Sequence, residues 1–531
     1  MDCILLKKFF SYYSLCLVFT CFQVNAGELF FNISPYIQQT SSTSVKIRWE
    51  RPLNEGAYVR VGKLNSENQL QFESTLIKQE SFRIHRKKSG LYESFIQGLL
   101  PNTTYYYQII LGDNQSSIYN FKTLNNKKEN FSFLVMSDAQ HGYEVTKKII
   151  EESVIYHTFI NNEQRSEYPP RFSLFSGDLV QHGILKKDWK KHFFTPMAPL
   201  LHRLAIYPVK GNHEMGKFFF NQYFSLPKQT SPQQKYNYYF FDYSNVRFIN
   251  LDSNRRFRNN KQLKWLKLAL TEAGKNEEID FIVLQFHHPF KSEAWTWGNT
   301  KYLGEVEKII EESLKVYDKP TVYFNGHTHA YSRGHKKTTR LSMITVGPIG
   351  GRIDTWDRWS KDYPEYHKTL HQYGWIKAEV TSGGSPTLTI KRYGFGNNES
   401  LTDNGVIDQF KIKRYAQPPE RPVVSDLFLE KGILNIKTSP YESEDSHLST
   451  EIKITVTNKR GRATEKSLIF NKHNIYNGKD HAKMKDLTHI QMKLELDKNE
   501  AIDIQVRHRS TSLRWSKWSE KVRFPSESDE L

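Results

Sequence analysis

The sequence predicts a multidomain chain in which a central α/β domain stands between two all-β sandwiches. Three observations predict this. The 531 residues exceed what one core takes up. The apolar pattern changes along the chain from two-residue alternation to strands alternating with helical periods, and then back again. Polar or proline-rich punctuation stands at both changes, Asn125-Asn126-Lys127-Lys128-Glu129-Asn130 and Gln417-Pro418-Pro419-Glu420-Arg421-Pro422. With 38% hydrophobic and 14% aromatic residues, the chain can fill several cores and lies far from a disordered composition.

Residues 1–26 read as an export signal. Lys7 and Lys8 give a basic start, an apolar stretch runs from Phe9 to Phe22, and Val24-Asn25-Ala26 supplies small residues for cleavage before Gly27. The apolar run is shorter than the roughly 20 residues a bilayer requires, so cleavage is expected rather than an anchor. Cys3, Cys16 and Cys21 all lie in this segment, which leaves the mature chain without disulfide or thiolate chemistry. A lipid on Cys21 is disfavoured because Val18-Phe19-Thr20 lacks the small residues expected before it. The expected location is extracytoplasmic, periplasmic or secreted. The endoplasmic-reticulum lumen is the weaker alternative, since Ser528-Asp529-Glu530-Leu531 has serine where a retention tail has lysine or histidine. The net charge of +18 favours anionic partners. Its basic residues are scattered and form no nucleic-acid motif, so a phosphorylated small molecule or phosphoester is expected rather than a specific nucleic acid.

The first domain, 27–124, shows short alternating segments such as Ser44-Val45-Lys46-Ile47-Arg48-Trp49 between turn residues. The segment Leu99-Leu100-Pro101-Asn102-Thr103-Thr104-Tyr105-Tyr106-Tyr107 resembles the late corner of a fibronectin type III domain, with Trp49 as a core aromatic. The central domain, 128–415, carries helical periods over Tyr143 to Thr158, Lys261 to Ala273 and Leu303 to Val316. Alternation returns in the last domain, 423–525, at Ile452–Val456 and Ile502–Val506. Its Trp515-Ser516-Lys517-Trp518-Ser519, with Arg507 and Arg509 upstream, resembles the fibronectin-like domains of haematopoietin receptors. There guanidinium groups stack between tryptophans, and the motif is read here as structural.

Chemistry concentrates in the central domain, where five strand-like apolar runs each end in metal-binding residue types. Phe131–Ser137 leads to Asp138, Phe172–Ser176 to Gly177-Asp178, and Leu204–Lys210 to Gly211-Asn212-His213-Glu214; Phe281–Phe286 leads to His287-His288-Pro289 and Thr321–Asn325 to Gly326-His327-Thr328-His329. An aspartate after a strand is often only a helix cap, and one buried histidine is usually a satisfied core residue. Five such ends are a different matter, because ligands in open α/β sheets bind beyond the carboxyl ends of strands. Carboxylate and imidazole donors suit Zn, Mn, Fe, Ni or Co. Six donors exceed the need of one four-coordinate ion, which points to two ions bridged by Asp178.

This order of motifs resembles the calcineurin-like metallophosphoesterases, and specifically the purple acid phosphatases. The amino-terminal sandwich, Tyr239-Phe240-Phe241-Asp242-Tyr243 with Phe248–Ser253, and Gly326–Arg333 match that branch. The resemblance covers about residues 30 to 412. It implies a four-layered α/β/β/α sandwich with Asp138, Asp178 and His329 on one ion and Asp178, Asn212, His287 and His327 on the other. It also implies Fe, Zn or Mn as the metals and His213 as the catalytic residue beside the phosphate. Three departures stand out. Gln181 replaces the tyrosine that binds ferric iron, so no purple band is expected. Gln140 stands where simpler members have histidine, with His141 one residue later. The run Lys291–Gly298 lacks the branch's substrate-facing histidines. The expected activity is phosphomonoester hydrolysis by a metal-bound hydroxide. A phosphodiesterase acting on nucleotides or lipid headgroups is the alternative within that chemistry, and a metal-stabilised binding or adhesion protein is the alternative outside it.

Overall fold

The computed structural model describes residues 31–524 apart from 53–56, 74–76, 79, 84–88, 161–167, 215–217, 228–237, 256–257, 296–300, 357–358, 458–459 and 495–500. Residues 1–26, expected to be an export signal, with their cysteines, the Ser528–Leu531 tail and the end of the Lys291–Gly298 run lie outside these residues. Among the described residues no helix is long and apolar enough to cross a membrane.

In the amino-terminal domain, Ser44–Pro52 pairs with Ile33–Gln38 on one side and Ser89–Gln97 on the other, and a second sheet is built on Tyr58–Leu64 and Thr104–Leu111. Two-residue alternation turns Val45, Ile47 and Trp49 inward, where they pack in one core with Val59, Val61, Tyr107 and Ile109 of the other sheet. Trp49 is fully buried and stacks on Tyr92. The domain is hydrogen-bonded to its neighbour. Tyr36 Oη–H donates to the Tyr223 carbonyl at 2.8 Å, the Arg48 guanidinium to that of Gln222 at 2.7 Å, and Tyr107 Oη–H to that of His202 at 3.1 Å.

Thirteen strands of the central domain are numbered in chain order: β1 (Phe131–Met136), β2 (Pro170–Phe175), β3 (Ala205–Pro208), β4 (Tyr239–Tyr243), β5 (Val246–Asn250), β6 (Phe281–Gln285), β7 (Thr321–Asn325), β8 (Tyr331–His335), β9 (Leu341–Thr345), β10 (Tyr366–Leu370), β11 (Gly374–Val380), β12 (Thr387–Gly394) and β13 (Val406–Lys413). They form two sheets. The first runs β3-β2-β1-β11-β12-β13, and the second runs β4-β5-β6-β7-β9-β8-β10. Strands β1 to β3 are mutually parallel, as are β5, β6, β7 and β9. Every residue of β1, β2, β6 and β7 is buried, as expected of parallel strands covered on both faces.

Alternate residues of β6 join different cores. Phe281 and Val283 pack with Phe133, Leu134 and Phe172 of the first sheet, whereas Ile282 and Leu284 pack with the helices α1 (Asn260–Lys275) and α2 (Lys301–Tyr317). Trp265, Leu266, Ala269, Leu270 and Ala273 give α1 its buried stripe, and Asn259 caps it by accepting from the backbone N–H of Lys261 and Gln262. The helical period expected over Tyr143 to Thr158 is regular only to Ile149. Beyond it Ile155 N–H bonds to Ile150 five residues back, and Ser153 accepts from the Trp375 indole at 2.9 Å.

The last domain packs a three-stranded sheet against a four-stranded one around Leu434, Ile436, Ile452, Ile454, Ile490, Ile502, Ile504 and Val506. The Arg507 guanidinium lies 4.4 Å from the ring centres of both Trp515 and Trp518. The end of this ladder is tied to the central domain, with the Trp515 indole donating to the Lys337 carbonyl and Arg509 to those of Lys336 and Thr339. A hairpin, Ile475–Tyr476 with Lys479–Asp480, extends the second central sheet beyond β10 through the pair Lys368 and Ile475.

Candidate metal centre

The carboxyl ends of β1, β2, β3, β6 and β7 converge, and the turns beyond them interlock. Asp138 N–H donates to Gly177 O, Ala139 N–H to Asp178 O, and Gly326 N–H to His287 O. Asp138, Asp178 and His327 all adopt left-handed backbone conformations, with φ of 55°, 55° and 69°. That conformation is unfavourable for residues with a side chain and persists only where surrounding contacts fix it. Close approach also dictates two glycines. Gly177 has φ +92°, and a Cβ there would lie 2.6 Å from His287 Nδ1; a Cβ on Gly211 would lie 2.0 Å from Asp178 Oδ1.

One wall of the pocket holds Asp178, Asn212, His287 and His327. His287 is fully buried, and its Nδ1 is bonded to the Ser176 carbonyl at 2.8 Å. Its Nε2 is thereby aimed at Asp178 Oδ2 and Asn212 Oδ1, each 3.1 Å away. Ligand atoms of Asp178, His287 and His327 lie within 4.8 Å of one another. Burial works to raise the Asp178 pKa, but the His287 imidazole outweighs it and leaves the carboxyl well below its usual range. Burial likewise opposes charge on His287, whose pKa the Asp178 and Asp138 carboxylates nevertheless carry up to about 9. Burial and then His287 hold His327 down to about 3, so its imidazole is neutral with a lone pair to offer.

The opposite wall holds Asp138, Gln140 and His329. Asp138 Oδ1 accepts from His327 N–H and lies 3.6 Å from His329 Nε2, while its buried Oδ2 has no hydrogen-bond partner. His329 is oriented by the segment after β9: its Nδ1 bonds the Arg352 carbonyl at 2.6 Å, and its N–H donates to Asp354 at 2.8 Å. The Gln140 carboxamide nitrogen stands 2.9 Å from His329 Nε2 and 3.4 Å from Asp178 Oδ2, with Oε1 buried and unpartnered. The two ends of an amide are interchangeable in shape, so the same side chain turned over presents an oxygen to this space. Orphaned buried carboxylate and carboxamide oxygens beside two imidazoles form a donor set that fits a cation.

His213 stands at the mouth, half-buried. Its N–H donates to Asp178 Oδ1 at 2.9 Å and its Nδ1 bonds the Gln181 carbonyl at 2.9 Å. His141 is exposed, with its pKa lowered by partial burial and by the neighbouring His213 and His329. Gln181 contributes backbone here, donating N–H to His192 as well as accepting from His213.

Residues 131–331 match the family model of the calcineurin-like phosphoesterases, and residues 32–123 that of the purple acid phosphatase N-terminal domain. The central domain is a calcineurin-like phosphoesterase domain. Among relatives, purple acid phosphatase 22 of Arabidopsis thaliana is 27% identical over 285 residues, 51% of this chain and 58% of its own length. An uncharacterized protein of Mycobacterium tuberculosis is 28% identical over 205 residues, 34% of this chain and 38% of its own. The chain thus spans less than two thirds of the length of these relatives. The structure of the purple acid phosphatase PPD1 from yellow lupin seeds superposes with a TM-score of 0.54 at 14% identity, covering 71% of this chain and 73% of that one. The structure of PhoD superposes at 0.52 with 13% identity, covering 73% and 91%.

All six predicted donors and His213 come together in this phosphoesterase domain. Sequence reasoning missed how Glu214 acts. It is buried and accepts from the backbone N–H of Gly211 (2.6 Å), Asp178 (3.0 Å), Leu179 (2.8 Å) and Val180 (3.3 Å), which locks the turns carrying Asp178 and Asn212 together. Burial and then Asp178 push its pKa up to about 8. A signal was present: a glutamate three residues after Gly211 can reach back to that residue's N–H, as in a capping box. Asp354 and the Arg352 carbonyl carry no such signal, since they lie in an irregular strap without periodicity.

Proposed function

We propose that the chain is an exported hydrolase of phosphomonoesters that works with two metal ions, Fe, Zn or Mn. The observation that carries this is the convergence of five distant strand ends on one pocket rich in lone pairs. Asp138, Asp178 and His329 would hold one ion, and Asp178, Asn212, His287 and His327 the other. Gln140, turned over, adds a carboxamide oxygen beside His329. When bound, the ions supply a water of lowered pKa and neutralise charge on the phosphoryl oxygens. The chain's own residues do the rest. The Ser176 carbonyl fixes the His287 tautomer, Glu214 holds Asp178 and Asn212 in register, and His213, with Nδ1 engaged by Gln181, offers Nε2 to a phosphoryl oxygen or to the leaving group.

The domain limits 27–124, 128–415 and 423–525 belong to the same reading. So do a four-layered centre, supported by the two cores on either side of β6, and fibronectin-like flanks, supported by the two-sheet cores at either end. The test is elemental analysis of the purified mature chain alongside a panel of phosphomonoesters and diesters. About two ions per chain, with monoesters turned over faster than their diesters, is the expected result. Metal without turnover of any ester would instead identify a structural site.

A further inference from the structure

We propose that Trp295 is a shelf for the alcohol part of the substrate, giving the site a preference for phosphoesters that carry a flat aromatic ring over those of aliphatic alcohols. The inference rests on the phosphoesterase reading above and adds a substrate class to it. Trp295 is 37% exposed, although the three residues before it are buried. Its ring centre lies 5.0 Å from that of His327, at an interplanar angle of 45°. An exposed indole beside metal-binding side chains presents apolar surface where a polar reaction would call for polar groups.

The backbone that carries the shelf is anchored. Trp295 N–H donates to Ser292 Oγ at 3.1 Å, and the Thr328 hydroxyl donates to the same oxygen at 2.8 Å, tying the loop to the residue between His327 and His329. Next to it, buried Glu293 accepts from Tyr363 N–H at 2.7 Å and from the Thr369 hydroxyl, while its carbonyl accepts from Lys361 N–H at 2.8 Å. Ser360 donates to the Ala294 carbonyl at 3.0 Å. With its backbone anchored in this way and its ring against His327, the indole has less freedom to lose when a second ring stacks on it. Stacking of a base or phenyl ring then favours aromatic esters by about tenfold.

The test compares Trp295→Leu, which keeps apolar bulk, with Trp295→Phe, which keeps a flat face. The readout is the kcat/KM of phenyl phosphate and of adenosine monophosphate, each divided by that of glycerol phosphate. Both ratios are expected to fall about tenfold in Trp295→Leu and to stay near wild type in Trp295→Phe. A fall for only one of the two esters also supports the shelf and tells a phenolic from a nucleoside substrate. Ratios within twofold of wild type for both esters in Trp295→Leu overturn it. A second arm needs no metal and no turnover: saturation-transfer NMR of adenosine and phenol with the metal-free protein. Ring contact in wild type and Trp295→Phe that disappears in Trp295→Leu supports the shelf, and no ring contact in wild type overturns it. Should no phosphoester be hydrolysed, the phosphoesterase reading fails, while this second arm still decides on the shelf.

Discussion

The two walls of the metal pocket are held by different parts of the molecule. Asp178, Asn212, His287 and His327 are fixed from within the central sheets, by the Ser176 carbonyl and by Glu214 with its four backbone donors. Asp138, Gln140 and His329 face them, and His329 takes its orientation from Arg352 and Asp354 on a strap that leaves the sheet. The first wall keeps every residue type that the motif order implies, whereas the second includes Gln140, which is not among the six donors of that order. A wall locked by core backbone has little room to vary; a wall set by a surface strap can change its donors while the fold is kept.

Asp178 stands on the first wall and, in the proposed two-ion centre, would also hold the ion of the second, so its loss should erase the difference between them. Asp178→Asn is expected to lower turnover of an aryl phosphate by about 10³-fold or more, the upper end of what removal of one electrostatic group costs. Circular dichroism should stay near wild type, because the carboxamide keeps the shape and still accepts from His213 N–H, while the melting temperature should fall, because buried His287 loses the carboxylate 3.1 Å from its Nε2. Near-normal hydrolysis by this variant would remove the basis for a bridging role.

Gln140 sharpens the comparison. Gln140→Ala is expected to weaken one ion of the pair by about 10- to 100-fold and to leave the other where it was, as read by chelator competition with metal counted per chain. Gln140→His should tighten the same ion. Equal loss of both ions would mean that the walls do not act separately.

Most of the first wall was legible in the sequence because apolar runs ending in Asp, Asn or His announce buried parallel strands with polar ends, and convergence is then a consequence of sheet topology alone. The alternation is legible too, and the structure sets its apolar residues against each other, with Ile452, Ile454 and Val456 facing Val506, Ile504 and Ile502. What could not be read is whatever depends on irregular backbone. The strap after β9 has no period, the change to wider winding after Ile149 leaves the apolar spacing nearly unaltered, and the hairpin Ile475–Asp480 belongs by sequence to one domain while pairing with another. His141, singled out for lying next to the altered position, is exposed at the mouth, and it is Gln140 that enters the pocket.

The second wall has a further support in Asp408 on β13. Its carboxylate accepts from Tyr331, Arg333 and Lys368, which ties the strand after His329 to the other central sheet. Burial works against its charge, but Arg333 and then Lys368 outweigh burial and bring the pKa down to about 2. The stabilisation is therefore complete above the ordinary carboxylate pKa of about 3.9 and is lost as pH falls through about 2. Asp408→Asn is expected to cost the central domain about 3 kcal/mol at pH 6, where it strands a buried guanidinium. The gap between variant and wild type should narrow between pH 4 and pH 2 in denaturant titrations. A constant gap across that range would show that packing, not charge, is what Asp408 contributes.

The smallest effect tests whether the last domain reaches the second wall at all. Tyr476, on the hairpin, meets Trp356 edge-on with ring centres 4.4 Å apart, and Trp356 stacks on His371 at 4.2 Å. Asn474, just before the hairpin, donates to Asp362 at 3.0 Å, and Asn471, at the end of the preceding strand, donates to the Pro364 carbonyl at 3.2 Å, so the hairpin and the residues leading into it grip the strap at three points. Trp356 lies two residues beyond Asp354, which receives His329 N–H, and Gly350 and Gly351 of the same strap donate to the Asp138 carbonyl. An aromatic pair of this kind is worth about 1 kcal/mol, or roughly fivefold in a local opening equilibrium. Tyr476→Ala should therefore speed hydrogen exchange at the amides of His329, Gly350 and Gly351 by about that factor. The amides of Leu179 and Gly211, held by Glu214 on the first wall, should not change, and Tyr476→Phe should restore the wild-type rates because it keeps the ring contact. Equal acceleration on both walls would show instead that the domain stabilises the whole molecule, and the two walls would then differ in their donors but not in their support.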